Sequence, residues 1–181
     1  MVALDLNIWF TGDLHIGHAK IIKYCNRPFG NVELMDAELI TRWNQKIKAD
    51  DLVIVVGDFI FGRHLDAAKI IPTLNGQIIL IKGSHDKPIP PIPWVPYMFM
   101  KIGKYNCLIN HRPIIPRGAP DPYRDNDPHL SMEILAQAER VICGHVHEKW
   151  LRNGPNYNVG VDQHNYYPIS LAELTRELGN E

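Results

Sequence analysis

The sequence predicts an α/β fold built around a mixed sheet, and three observations carry that prediction. Short apolar runs rich in β-branched and aromatic residues recur along the chain, helical periodicity fills the stretch between the first two, and after Cys143 the chain breaks into short pieces separated by turns. The runs are NIWFTG from 7, DLVIVVG from 51, QIILIKG from 77, YNCLIN from 105 and RVICG from 140. Continuous apolar runs of this length read as strands covered on both faces. Between the first two, Leu34, Leu39, Ile40, Trp43 and Ile47 recur at helical spacing, with acids early and bases late as the helix dipole favours. A second helix is expected over Leu65 to Leu74 and a third over Leu130 to Glu139. A fourth is expected at the C-terminus, where Ser170 caps and Glu173 completes a capping box. EKWLRNG, NYNVGV and YYPIS, divided by Asn-Gly and Pro turns, favour hairpins, which makes a mixed sheet the expectation. The Pro-rich stretches KPIPPIPWVP from 87 and RPIIPRGAPDPYRDNDP from 112 read as surface loops.

Composition bounds the function. The 181 residues suit a single domain, 1–181, with a real core, and 45% hydrophobic against 22% charged residues is ordinary for a globular protein. With 19 basic and 20 acidic side chains the net charge is -1, which provides no general pull toward nucleic acid or anionic lipid. Cys25, Cys107 and Cys143 are odd in number and far apart, so reduced buried thiols are expected rather than disulfides. No stretch approaches the ~18 apolar residues of a membrane span, and the first ten residues lack a basic leader pattern, which makes the cytoplasm the expected location.

The chemistry gathers at the strand ends. GDLHIGH follows the first run, GDF the second, GSHD the third, NH the fourth and GHVHE the fifth. Open α/β sheets bind ligands at the carboxyl ends of their strands, so Asp13, His15, Asp58, His85, Asp86, His111, His145 and His147 are expected to meet in one patch. Asp13 with His15, and His145 with His147, stand at i and i+2, which in an extended segment sends both side chains to one side. Carboxylates mixed with imidazoles suit manganese, iron, zinc or nickel rather than calcium or magnesium. The set exceeds the needs of one ion. Two ions about 3.5 to 4 Å apart can share a hydroxide and clamp a phosphoryl group, which points to phosphoester hydrolysis.

The ordered series D-x-H, GD, G-x-HD, a lone His and GHxH resembles the calcineurin-like metallophosphoesterase superfamily. The flanks IIKYCNRPF, LNGQIILIKG and NVGVDQHNYYPIS resemble its small bacterial and phage-type branch, so the likeness covers nearly the whole chain. The resemblance implies a four-layer αββα sandwich with two mixed sheets and a dinuclear centre. Within it Asp13, His15 and His147 would hold one ion, Asp58 would bridge, and Ser84, His111 and His145 would hold the other. His85 would serve the leaving group, with Asp86 orienting its ring. The family pattern has Asn where this chain has Ser84, and a neutral hydroxyl is the weaker ligand, so a weakened second site is expected. Asn26 and Arg27 are candidate phosphate contacts, since an Arg fork matches phosphate oxygens. His18 is read either as a neighbour of the site or as a surface residue at a helix N-terminus, and stands outside the ligand set. Arg112, Arg117 and Arg124 are candidates to gate it, and His64, His129 and His164 are read as structural or surface residues.

The expected activity is hydrolysis of a small phosphodiester or phosphomonoester, a nucleotide among the candidates, with manganese the first choice of metal. No membrane partner is expected, the neutral charge argues against long nucleic acids, and the assembly is a monomer or homodimer. Two rivals accompany this reading: a metal-poor binding module that retains the fold, motivated by Ser84, and a manganese-dependent nuclease.

Overall fold

The computed structural model describes residues 7–61, 64–114 and 130–179. Arg117, Arg124, His129 and most of the second Pro-rich stretch lie outside these residues, as does the side chain of His64.

The five apolar runs form strands, as the sequence predicts, and they divide between two mixed sheets. The first sheet holds β1 (Ile8–Thr11), β2 (Leu52–Val56), β3 (Gln77–Ile81), β4 (Trp94–Val95) and β10 (Ile169–Ser170), in the order β10-β1-β2-β3-β4. β1 to β4 run parallel and β10 is antiparallel to β1. The second sheet holds β5 (Met98–Ile102), β6 (Tyr105–Ile109), β7 (Arg140–Cys143), β8 (Arg152–Asn153) and β9 (Asn156–Asn158), in the order β5-β6-β7-β9-β8. The Asn-Gly turn predicted from the sequence joins the antiparallel pair β8 and β9, with Gly154 at φ 55°.

The sheets pack face to face. Phe10, Ile54, Val56 and Ile81 from the first meet Cys107, Ile109, Ile142 and Tyr157 from the second. The opposite face of the first sheet, presenting Val53, Val55 and Leu80, is buried under α1 (Ala19–Tyr24), α2 (Val32–Lys46) and α3 (His64–Ile70). Helix α2 starts where the Asn31 side chain accepts a hydrogen bond from the Leu34 amide at 2.8 Å. Its buried stripe is Met35, Leu39, Trp43 and, at the C-cap, Ile47. Leu34, counted toward that stripe in the sequence, is 58% exposed, because the face is rotated by one residue. Helix α5 (Leu171–Gly179) begins at the predicted capping box: the Glu173 amide donates to Ser170 Oγ at 3.2 Å, and Glu173 Oε2 accepts from the Ser170 amide at 2.9 Å. Leu174 and Leu178 of α5 complete the intersheet core.

Three expectations about elements are corrected. The helix expected over Leu130 to Glu139 is the single turn α4 (Met132–Leu135), because the chain must return in time for the Glu139 amide to bond Asn106 O at 2.9 Å and start β7. The first Pro-rich stretch is not all loop, since Trp94 and Val95 pair with β3; a short edge strand tolerates prolines on either side. The α3 run finishes as a 3-10 turn over Ile71–Thr73, where Pro72 cannot continue the helical hydrogen-bond ladder. No helix among the described residues is long and apolar enough to cross a membrane.

Candidate metal centre

Strands β1, β2 and β3 of one sheet and β6 and β7 of the other all deliver their carboxyl ends to the same place. There the sheets also touch: Val161 N donates to Gly12 O at 3.0 Å, and His111 Nδ1 donates to Val56 O at 2.9 Å. The residues after those ends are the predicted Asp and His positions. Asp13, His15, Asp58 and His111 are each at most 3% exposed.

Their geometry is close. Asp13, His15 and His147 offer ligand atoms within 4.8 Å of one another, and so do Asp13, Asp58 and His111. Asp58 Oδ2 lies 3.4 Å from His15 Nε2 and 3.5 Å from His111 Nε2, so it faces both groups. His145 and His147 part company: the His145 ring lies 5.1 Å from His111, whereas the His147 ring stacks 5.1 Å from His15. The pair therefore does not clasp a single position, as i and i+2 spacing in an extended segment would have it. The backbone is not extended there. Asp13, His15, Asp58, His145 and His147 all adopt positive φ, at 53°, 52°, 50°, 72° and 47°. Five non-glycine residues in the left-handed region at one locus is stored strain, and such strain concentrates at functional sites.

Two glycines allow the loops to close in. A Cβ on Gly144 would sit 2.6 Å from Asp13 Oδ2, and one on Gly57, whose φ is 81°, would run into the His111 ring. Hydrogen bonds then fix the rings. With its Nδ1 hydrogen given to Val56 O, His111 turns Nε2 toward Asp58. His147 Nδ1 is 3.0 Å from Asp162 Oδ2, which leaves its Nε2 for a ligand. Asp162 is gripped in turn by Arg27, at 2.8 Å from Nε and 2.9 Å from Nη2.

The charges follow from this packing. Burial raises the Asp13 carboxyl and lowers His15 and His145 to about 3 each. Burial would also raise Asp58, but the His111 imidazole beside it, together with His15, holds it well below the usual carboxylate range. His111 is pushed up to about 9 despite its burial, by Asp58 and Asp13; His147 is pushed up to about 11, by Asp13 and Asp162.

Does the set fit a metal? Asp13 Oδ1, His15 Nε2 and His111 Nε2 are buried with no hydrogen-bond partner, though buried polar atoms are nearly always paired. Unpaired, converging carboxylate and imidazole atoms are what a divalent transition metal would satisfy.

Not every predicted role survives. Asp86 does not orient the His85 ring. Its oxygens accept from the amides of Asp58 at 2.8 Å, Phe59 at 2.9 Å and Gly83 at 2.9 Å, tying the loop after β2 to the loop after β3. Arg27 is no phosphate contact either, because its fork is filled by Asp162 and by the carbonyls of Asp13 and Leu14, at 2.6 and 3.0 Å, and the residue is buried. Asn26 is exposed at φ 49°, at the end of α1. Ser84 is exposed, its Oγ accepting from Arg112 Nη2 at 3.1 Å. His85 is exposed at the rim, its amide bonded to Asp58 Oδ1 at 2.9 Å and its ring 5.7 Å from His15. His164, read as structural, has Nε2 2.8 Å from Asn158 O. Asp162 was missed. It follows NYNVGV as the other carboxylates follow their strands, so the same strand-end rule would have found it.

Comparison with known proteins decides the family. The profile described as calcineurin-like phosphoesterase matches residues 6–168. The chain belongs to the calcineurin-like phosphoesterases. Membership brings phosphoester hydrolysis and divalent-metal binding as the family's coarse properties. Among relatives of this phosphoesterase, an uncharacterised protein of Methanocaldococcus jannaschii is 33% identical over 178 residues, covering 93% of this chain and 89% of the other. The gene 66 protein of Mycobacterium phage D29 is 37% identical over 202 residues, covering 97% and 96%. A crystal structure of a protein of unknown function from Aquifex aeolicus superposes with a TM-score of 0.71 at 24% identity, covering 95% of this chain and 99% of that one, and so shares the fold.

Proposed function

We propose that this calcineurin-like phosphoesterase hydrolyses small phosphodiesters or phosphomonoesters at a dinuclear centre. In this reading Asp13, His15 and His147 would hold one ion, Asp58 would serve both, and His111 and His145, with Ser84 at the margin, would hold the second. The supporting observation is that buried ligand atoms of Asp13, His15 and His111 lack hydrogen-bond partners within two close-set groups, Asp13 with His15 and His147, and Asp13 with Asp58 and His111. Divalent ions bound there, manganese first and iron, zinc or nickel as alternatives, would supply positive charge for the phosphoryl oxygens and would acidify the attacking water. The chain's own residues do the rest. Asp162, locked by Arg27, keeps His147 in one tautomer, Val56 O does the same for His111, and Asp86 fixes the spacing of the loops that carry Asp58 and His85. His85, at the solvent edge, hands a proton to the departing oxygen.

With a net charge of -1, a small substrate suits the site better than a nucleic acid. The three cysteines are free and buried, which favours a reducing cytoplasmic setting for a monomer or homodimer. One observation favours a second reading, a metal-poor binding module. Position 84 carries a hydroxyl held by the Arg112 guanidinium, and a fixed positive charge there opposes a cation at the second position. Bis(p-nitrophenyl) phosphate and p-nitrophenyl phosphate, offered to manganese-loaded protein and to Ser84→Asn, separate the readings. Turnover by the unaltered protein supports the hydrolase and ranks diester against monoester. Turnover only in Ser84→Asn assigns the weakness to position 84, and none in either supports the binding module.

A further inference from the structure

A cleft of about 810 Å³ opens beside the candidate centre, within the range of small-molecule sites. His15, His85 and His147 line it together with Lys20, Ile21 and Tyr24 of α1. Its wall is aromatic. The His18 ring lies on Phe61 at 3.9 Å with 18° between planes, Tyr24 meets His18 edge-on at 6.3 Å, and Phe61 meets His85 edge-on at 5.7 Å. These four rings run without a break from the leaving-group histidine to α1.

The exposure of this wall is unusual. Among the described residues the exposed large hydrophobic side chains are Tyr24, Leu34, Phe61 and Met132, and the two aromatic ones both face this cleft, at 66% and 39% exposure. Apolar surface left open beside a polar centre marks a place where a ligand supplies the missing contact. A phosphoester with only a short aliphatic group would leave the wall wet, whereas a flat ring would cover it while its phosphoryl group reached His85 and His147.

Resting on the hydrolase reading above, we propose that this cleft is a subsite for a flat heteroaromatic ring, so that the substrate is a nucleotide-type phosphoester whose base packs against Phe61, His18 and Tyr24. Stacking of a base on an aromatic side chain is tolerant of base identity, so all four bases are accepted with small differences.

The test is calorimetric. Adenosine 5′-monophosphate and ribose 5-phosphate share sugar and phosphate and differ only in the base, and both are titrated into the manganese-loaded protein. The proposal expects the adenosine compound to bind tighter by about tenfold or more, with the gap falling to about threefold or less in Phe61→Leu and narrowing in Tyr24→Ala. Tyr24 is exposed, so its variant carries the test if Phe61→Leu fails to fold. Equal affinity for the two compounds, no binding of the nucleotide, or a gap untouched by either variant overturns the subsite. Base-selective binding by a protein that hydrolyses no phosphoester keeps the subsite and overturns the hydrolase reading; hydrolysis without base preference does the reverse.

Discussion

Arg27 shows how a residue read one way in a sequence serves another in the fold. In CNRPF an arginine before a proline looked available to a phosphate, yet its guanidinium is spent on Asp162 and two carbonyls of the Asp13 loop. The sequence conceals this because Asp162 lies 135 residues away and the pairing exists only once the two sheets have met. Removing one partner of a buried ion pair costs about 3–5 kcal/mol. Arg27→Ala should therefore lower the urea midpoint by that amount of stability and weaken metal binding, whereas a phosphate contact would show only a raised KM. Asp86 and His85, adjacent in sequence, should separate in the same way. Asp86→Asn puts an amide group among three backbone donors, so it should lose about 1–3 kcal/mol in the same unfolding measurement. His85→Ala should leave stability and metal content near the original values and cut turnover by roughly 10²–10⁴. Equal loss of metal in His85→Ala would make it a ligand instead.

At the scale of elements, the strands that carry the site were legible, and so were edge strands β8 and β10, while edge strands β4 and β5 were not. Five apolar runs, each closed by Asp or His, announced both the α/β class and the site. The convergence on one edge follows from parallel pairing of β1 with β2, of β2 with β3, and of β6 with β7. Edge strands β4 and β5 escaped because two-residue β4 is too short for any period, and β5, MFMKI, follows prolines and is apolar at four of its five positions without alternation. The left-handed turns after the strands were equally hidden, since Asp13, His15 and His147 are not glycines and only packing holds them at positive φ. That strain makes the turns sensitive to their surroundings. Gly144→Ala should push its new Cβ against Asp13 Oδ2 and reduce manganese affinity by about tenfold or more, read by calorimetry, with a smaller effect on folding. Unchanged affinity would show that the Asp13 loop can yield.

For the molecule as a whole, metal, protons and stability are linked. His111 and His147 are held protonated at neutral pH by their carboxylate neighbours, with values of about 9 and 11, so an ion must displace protons to bind. Raised values mean that the protonated form persists as pH rises through neutrality, so manganese affinity should climb from pH 6 to pH 8, by about tenfold per pH unit for each proton released. Calorimetry in two buffers of different ionisation enthalpy counts those protons, and a release of zero contradicts the assignment. Because an ion also relieves the unpaired Asp13, His15 and His111 atoms, saturation at 100 times Kd should stabilise the fold by about 2.7 kcal/mol. The melting temperature would then rise by roughly 5–10 °C. The most direct test of the central claim strips the protein with chelator and follows bis(p-nitrophenyl) phosphate hydrolysis as manganese is returned, in the unaltered chain and in Asp58→Ala. The account predicts turnover that is absent without metal, rises with occupancy and is lost in Asp58→Ala; turnover independent of metal, or undiminished in the variant, would contradict it.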